Sequence, residues 1–152
     1  MEAFRLARKK HSSVLSGVGA AIKGARWNSS GVEIIYTASN RSLAMAEVAV
    51  HLTLATLPSD YLMMTIYIPD NISLARVNQS DLPIDWNVFP HSKSTQEIGN
   101  KFIRENKYCV LQIPSAVTHG DFNILINPYH VEFPKIKIIS EDRFPFDNRI
   151  FK

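Results

Sequence analysis

The chain has 152 residues, of which 45% are hydrophobic and 20% charged, and a formal net charge of +3. One domain, spanning 1–152, suits that length, and the composition supports a packed core while excluding a disordered or low-complexity chain. A single cysteine excludes an internal disulfide and a cysteine-based zinc cluster, and fits the residue usage of a reducing cytoplasm.

The stretch up to Arg26 holds Arg5, Arg8, Lys9, Lys10 and Lys23 besides Arg26 itself, against one acid, Glu2. Such a basic end is either solvated surface or a patch for nucleic acid, an acidic partner or a ligand's phosphates. No aromatic interleaving, zinc spacing or helix-turn-helix pattern favours nucleic acid. Residues 14–22 are mildly apolar behind Arg8, Lys9 and Lys10, but Ser16, Gly17 and Gly19 make a poor signal-peptide core, and the segment is read as retained.

Residues 24–57 are the most informative part of the chain. The β-branched and aromatic run at 32–38, between the breakers Asn28-Ser29-Ser30-Gly31 and Ser39-Asn40, predicts a strand that brings Tyr36 close to Arg26. Residues 42–57, rich in Ala, Leu, Met and Val on every side, predict a helix packed all round and capped by Ser39 or Asn40. It is too short for a membrane span and carries a carboxylate. Glu47 and His51 stand four apart, so a helix puts them on one face. A buried carboxylate needs a cation or a water-filled cleft, and Arg26 is the candidate cation. Two readings stand side by side: an Arg26–Glu47 pair bracing strand to helix, and a ligand site. His51 is read as a packing or hydrogen-bonded histidine.

The remainder predicts strands at 61–68, 72–77, 108–113, 122–126 and 136–139. A helix is expected at 94–106, capped by Ser92 or Ser94, with Ile98, Phe102 and Ile103 on its buried face. The prolines and rings of 82–91 predict a loop. Cys109, in an apolar run, is read as core rather than nucleophile. Ser115 ends a strand after Pro114, well placed to offer a hydroxyl to a cleft. No Gly-x-Ser-x-Gly elbow surrounds it, and Ser115, His119 and Asp121 are too close in sequence for a triad. Asn127-Pro128 reads, by itself, as an ordinary strand stop.

Together these pieces resemble a known family. Gly24-Ala25-Arg26-Trp27-Asn28-Ser29-Ser30-Gly31, then Ile35-Tyr36-Thr37-Ala38, then Ala44-Met45-Ala46-Glu47-Val48, and finally Ile113-Pro114-Ser115-Ala116-Val117 followed by Asn123-Ile124-Leu125-Ile126-Asn127-Pro128 are similar to the RES domain, named for its Arg, Glu and Ser. The resemblance runs from Phe4-Arg5 to His130. Ala25, Ser30 and Val131 depart from the family's usual glycine and two prolines, and none of the three is a naming residue.

The resemblance implies an α+β fold, a compact mixed sheet with flanking helices, similar to the ADP-ribosyltransferase toxins. It implies the toxin half of a bacterial toxin-antitoxin pair, whose partner is an antitoxin with an Xre-type helix-turn-helix domain. The activity implied consumes NAD as a substrate, with no metal or redox cofactor and no membrane. The implied site is Arg26, Tyr36, Glu47 and Ser115, with Asn127 as a further NAD contact and His130 beside it in a motif matched less completely. Chemically, Glu47 suits the positive charge that builds on ribose, Arg26 a diphosphate, Tyr36 the nicotinamide ring, and Ser115 a hydrogen bond to nicotinamide or ribose. The acceptor of the ADP-ribose is left open among water, phosphate and a protein side chain. No Gly-x-Gly-x-x-Gly supports a Rossmann dehydrogenase. Two rivals remain: a non-catalytic binding module that uses Arg26 and the basic end, and a metal-free hydrolase that uses Ser115 or Cys109.

Overall fold

The computed structural model describes residues 1–151. Seven strands form one mixed sheet, and three helices accompany it in an α+β arrangement. The strands are β1 (Glu2–Arg8), β2 (Ile35–Ala38), β3 (Tyr61–Tyr67), β4 (Leu74–Arg76), β5 (Val110–Pro114), β6 (Phe122–Ile126) and β7 (Lys137–Arg143). The helices are α1 (Val18–Lys23), α2 (Arg41–Ala49) and α3 (Lys93–Glu105). The sheet order is β4-β5-β6-β2-β1-β3-β7, with β4 parallel to β5 and every other pair antiparallel.

Strand pairing sorts the core into two faces, because alternate residues point to opposite sides. On one face Leu111 lies opposite Leu125, which lies opposite Tyr36, while Ala38 lies opposite Phe4 and Leu6 opposite Met63. Helix α3 covers the β5–β6 part of this face, with Phe102 packed among Trp27, Trp86, Leu111 and Leu125. Helix α2 covers the β1–β3 part, with Leu43 and Ala44 against Phe4, Leu6 and Met63. The other face is a second core of Ile35, Met64, Ile66, Val110, Ile124 and Ile126, closed by Ile72, Ile136 and Leu15.

The centre of the sheet is split. Strand β1 pairs with β3 along its whole length, from Glu2 opposite Tyr67 to Arg8 opposite Tyr61. With β2 it pairs only where Phe4 meets Ala38, and beyond that pair the two strands share no ladder. The residues that would have faced each other next, Arg5 and Leu6 on one side and Tyr36 and Thr37 on the other, line an opening instead.

Several expectations are corrected here. Strand β1 is not anticipated by the sequence reading, which takes the first residues as a basic end, and α1 occupies part of the stretch tested as a signal core. Strand β2 starts at Ile35 rather than residue 32, because Val32 folds back to donate its N–H to the Ser29 carbonyl at 3.1 Å. Helix α2 stops at Ala49, well short of residue 57, and is not packed all round. Only Leu43 and Ala44 are buried, while Val50 and Leu54 are 60% and 55% exposed. The chain tightens after it, with His51 and Leu52 donating to the carbonyls three residues back, and Thr53 then opens a separate 3-10 turn at Leu54–Thr56. Asn40 is the cap: its Oδ1 accepts from the Leu43 N–H at 2.8 Å.

Helix α3 matches its expected extent within a residue and ends on Asn106 in the left-handed conformation, φ 51°. Its N-cap residue Ser92 makes no side-chain cap bond, and Thr95, Gly99 and Phe102 are its buried residues, with Ile98 and Ile103 half-buried against the same cluster. Gly99 is where α3 meets the turn that carries Arg26. A Cβ there would lie 1.6 Å from the Trp27 carbonyl oxygen, so only glycine permits this approach.

Candidate active site

The site is built from the turn at residues 24–31. Gly24 takes φ +75°, a conformation that L side chains rarely adopt, and Ala25 and Asn28 exchange backbone hydrogen bonds across the turn. Asn28 is fully buried and is the turn's keystone. Its Nδ2 donates to the carbonyls of Ala20, Ser29 and Val32, and its Oδ1 accepts from the Tyr36 hydroxyl at 2.6 Å. Helix α3 holds the same turn from outside: Gln96 donates to the Ala25 and Asn28 carbonyls, and Asn100 bonds the N–H and hydroxyl of Ser29.

Tyr36 therefore has its hydroxyl committed, accepting the Trp27 N–H at 3.0 Å as well as donating to Asn28. Burial, opposed by the Trp27 hydrogen bond, pushes its pKa well above the ordinary phenol range, so it stays protonated and leaves its ring to face the cleft.

Arg26 turns away from the pairing expected of it. Its Nη1 donates to the carbonyls of Trp86 at 2.9 Å and Val88 at 2.8 Å, binding the loop at 82–91 to the turn. Burial lowers its proton affinity, and the charge of Glu47 raises it from a distance, without an ion-pair contact. The bracing Arg26–Glu47 pair is thus replaced by two separate attachments.

Glu47 is joined to Ser115 instead, whose Oγ donates to Oε1 at 3.1 Å. The Ser115 oxygen also accepts the N–H groups of Val117 and Thr118, each at 3.1 Å, so both of its lone pairs are used. Its single hydrogen is left to the carboxylate.

Arg26, Tyr36 and Glu47 line one cleft of about 770 Å³, within the range of small-molecule sites. Phe4, Tyr36, Ala38, Ala44 and Val48 form its apolar walls, and Arg26, Glu47, His51, Asn87, His91 and Asn123 bring polar groups to it. Arg5, at the split between β1 and β2, adds a second cation. It donates to the Ser16 carbonyl at 3.1 Å, and burial lowers its proton affinity. His91 is likewise shifted down, first by burial and then by the charge of Arg26.

Arg26, Tyr36 and Glu47 are therefore brought together on the cleft, and Ser115 reaches it through Glu47. His51 lies beyond the end of α2 and is exposed, but still lines the cleft. Asn127 does not reach it. It is fully buried past the far end of β6, where its Nδ2 donates to Asn106 Oδ1 at 2.7 Å and its Oδ1 accepts the Tyr129 N–H. His130 lies nearby, accepting the Glu132 N–H at Nδ1, while Glu132 pairs with Ser73. Cys109 is buried in the core, with its thiol pKa pushed up to about 12 by burial, then by Glu132, which leaves no thiolate to act as a nucleophile.

Arg5, Asn87, Phe89, His91 and Asn123 escape the sequence reading. The alternation of Phe4 and Leu6 around Arg5 is the one signal that could have found a member of this set, since it marks an arginine inside a strand. The others arrive by tertiary contact alone. Among the described residues, no three His, Cys, Asp or Glu side chains gather so as to hold a metal ion. Among the described residues no helix is long and apolar enough to cross a membrane.

Comparison with known proteins shows the family. The Prs ADP-ribosylating toxin of Sphingobium sp. is 33% identical over 96% of this chain and 92% of its own. Toxin Res of Photorhabdus laumondii is 34% identical over 98% and 96%. A chain in the crystal structure of the M. tuberculosis MbcT-MbcA toxin-antitoxin complex shares the fold, with a TM-score of 0.76 at 18% identity over 99% of this chain and 86% of that one. The RES domain matches residues 2–147, the whole of the sheet and the cleft included, and the chain belongs to the RES domain family, whose relatives matched here are named as toxins.

Proposed function

We propose that this chain is the toxin of a toxin-antitoxin pair and that it cleaves NAD at the bond between nicotinamide and ribose. The observation that carries the reading is the carboxylate of Glu47, held by Ser115 on the wall of a mostly apolar cleft that Arg5 and Arg26 also line, with no ion-pair contact between Glu47 and either cation. Bond cleavage sends the electron pair to the ring nitrogen, discharging the pyridinium, and leaves positive charge on the ribose. A fixed anion beside that sugar lowers the barrier. An oxygen nucleophile then adds at the same carbon; if it is water, one proton is released.

The remaining groups have matching roles. Tyr36 presents its ring to nicotinamide, and Arg5 meets the diphosphate with Arg26 adding charge behind it. NAD is the substrate, and no metal or redox cofactor takes part. The reaction belongs to the cytoplasm, where NAD is consumed and growth stops until an antitoxin of the Xre helix-turn-helix class covers the cleft.

A second reading, transfer of ADP-ribose to a protein side chain, is favoured by the name of the Sphingobium relative, an ADP-ribosylating toxin. One experiment separates the two and tests both. The purified protein is incubated with NAD, with and without phosphate and cell extract, and the products are identified. Free ADP-ribose or its phosphate marks hydrolysis or phosphorolysis, labelled protein marks transfer, and absence of nicotinamide in every arm overturns the proposal. In cells, growth arrest with an unchanged NAD pool would point to another target.

A further inference from the structure

We propose that the loop from Trp86 to His91 is a substrate clamp whose Phe89 ring stacks on a planar heterocycle of the dinucleotide, and that Arg26 serves the reaction by holding this clamp. The inference rests on the NAD reading above and deepens it.

The base of the clamp is fixed at three places. Trp86 is buried and stacks on Trp27, the neighbour of Arg26, with ring centroids 6.5 Å apart and planes 26° from parallel. Asp85 accepts from the Ser94 hydroxyl at 3.0 Å, which ties the loop to α3. Arg26 Nη1 holds the carbonyls of Trp86 and Val88, on either side of Asn87. The tip is free by contrast. Phe89 is 80% exposed, an unusual position for a large ring, yet it lines the cleft together with Asn87 and His91. Ile84, fully exposed in the same loop, is not a lining residue, so exposure and cleft position coincide at Phe89. A ring held over a cleft by a braced loop offers a flat apolar face at little ordering cost, because the backbone is already fixed.

Arg26 is then a positioning residue. A guanidinium that grips a diphosphate presents its fork of donors to the ligand, whereas one terminal nitrogen here is spent on two backbone carbonyls.

A double-mutant cycle on the whole chain tests this. KM and kcat for nicotinamide release are measured for Phe89→Ala, Arg26→Ala and the pair, with Phe89→Trp and Arg26→Lys as controls. Losing one stacked ring is expected to raise KM about tenfold to a hundredfold with a smaller change in kcat, and Phe89→Trp to restore it. Arg26→Ala should raise KM at least as far and speed hydrogen exchange at the Val88 amide. In that background Phe89→Ala should add almost nothing. Arg26→Lys keeps the charge with fewer donors and should resemble Arg26→Ala. Binding of nicotinamide mononucleotide and of AMP to parent and Phe89→Ala identifies the ring: whichever weakens is the one stacked.

Additive effects in the cycle, or unchanged binding of both mononucleotides to Phe89→Ala, overturn the proposal. So does an Arg26→Lys protein that behaves as the parent, since charge alone would then suffice. Phe89 variants alter an exposed side chain, so the binding arms stand even where an Arg26 variant fails to fold. A parent that binds the mononucleotides through Phe89 yet releases no nicotinamide would sink the NAD-cleavage reading and leave the clamp intact.

Discussion

Ser115 donates its hydroxyl hydrogen to Glu47 across 3.1 Å, joining the residue after β5 to the last turn of α2 over 68 positions of sequence. Because the N–H groups of Val117 and Thr118 occupy the oxygen's lone pairs, the serine cannot rotate its hydrogen elsewhere without losing a bond. Its task is to aim the carboxylate. Ser115→Ala is therefore expected to lower turnover by roughly ten- to a hundredfold, the worth of a hydrogen bond to a charged group, while NAD affinity changes little. Steady-state kinetics with a parallel calorimetric Kd decide it. A fall in affinity with kcat intact would assign Ser115 to binding.

Glu47→Gln keeps the shape and removes the charge. Loss of one well-placed electrostatic group costs about 3 to 4 kcal/mol, so nicotinamide release should drop on the order of a hundred- to thousandfold while NAD still binds. The fold should survive, since Glu47 makes no ion-pair contact with Arg26 and an amide oxygen still accepts from Ser115. Thermal stability, affinity and turnover read on one preparation test this, and a stable Gln variant with near-parental turnover would remove Glu47 from the chemistry.

Tyr36→Phe keeps the ring on the cleft but strips a hydroxyl from between the Trp27 N–H and Asn28. The expected result is a loss of roughly 1 to 3 kcal/mol of stability from the buried groups left unpaired, with kcat of the folded protein largely retained. Denaturant unfolding measures the first quantity and nicotinamide release the second. A large fall in kcat at unchanged stability would mean that the hydroxyl itself meets the substrate.

His91 gives the site a pH dependence whose sign is set by its surroundings. Burial and the Arg26 charge hold its folded proton affinity below that of the unfolded chain, where an imidazole titrates near about 6.5. The unfolded state then binds more protons as pH falls, so the histidine's contribution to stability is full above about pH 6.5 and is lost as pH drops through the lower folded value. The melting temperature should decline over that window, and His91→Gln should flatten the decline. An unchanged slope in the variant would assign the acid sensitivity to other groups.

Much of the framework was legible in residue patterns. Strand β6 falls where its breakers set it, α3 follows its apolar spacing to Asn106, and Asn40 caps α2 as a short polar side chain should. Composition misled at α2, because Ala, Leu and Val are equally frequent in a buried helix and in a half-exposed one followed by a 3-10 turn, and burial depends on what lies opposite. Arg26, Tyr36 and Glu47 do line one cleft, but the bonds they make were not legible. Arg26 finds its acceptors 60 and 62 residues away, and no local pattern encodes a carbonyl at that distance. Arg5 was hidden for another reason. A charged residue between Phe4 and Leu6 looks like surface until the neighbouring strand is seen to turn away.

The missing side chain at Gly99 has a genetic consequence. A single methyl at that position would collide with the Trp27 carbonyl and push α3 off the turn next to Arg26, although Gly99 itself lines no part of the cleft. A selection for cells that survive expression of the protein should therefore recover substitutions at codon 99 alongside those at codon 47. Chemical labelling of the site, which needs a reactive side chain, would pass over Gly99 entirely.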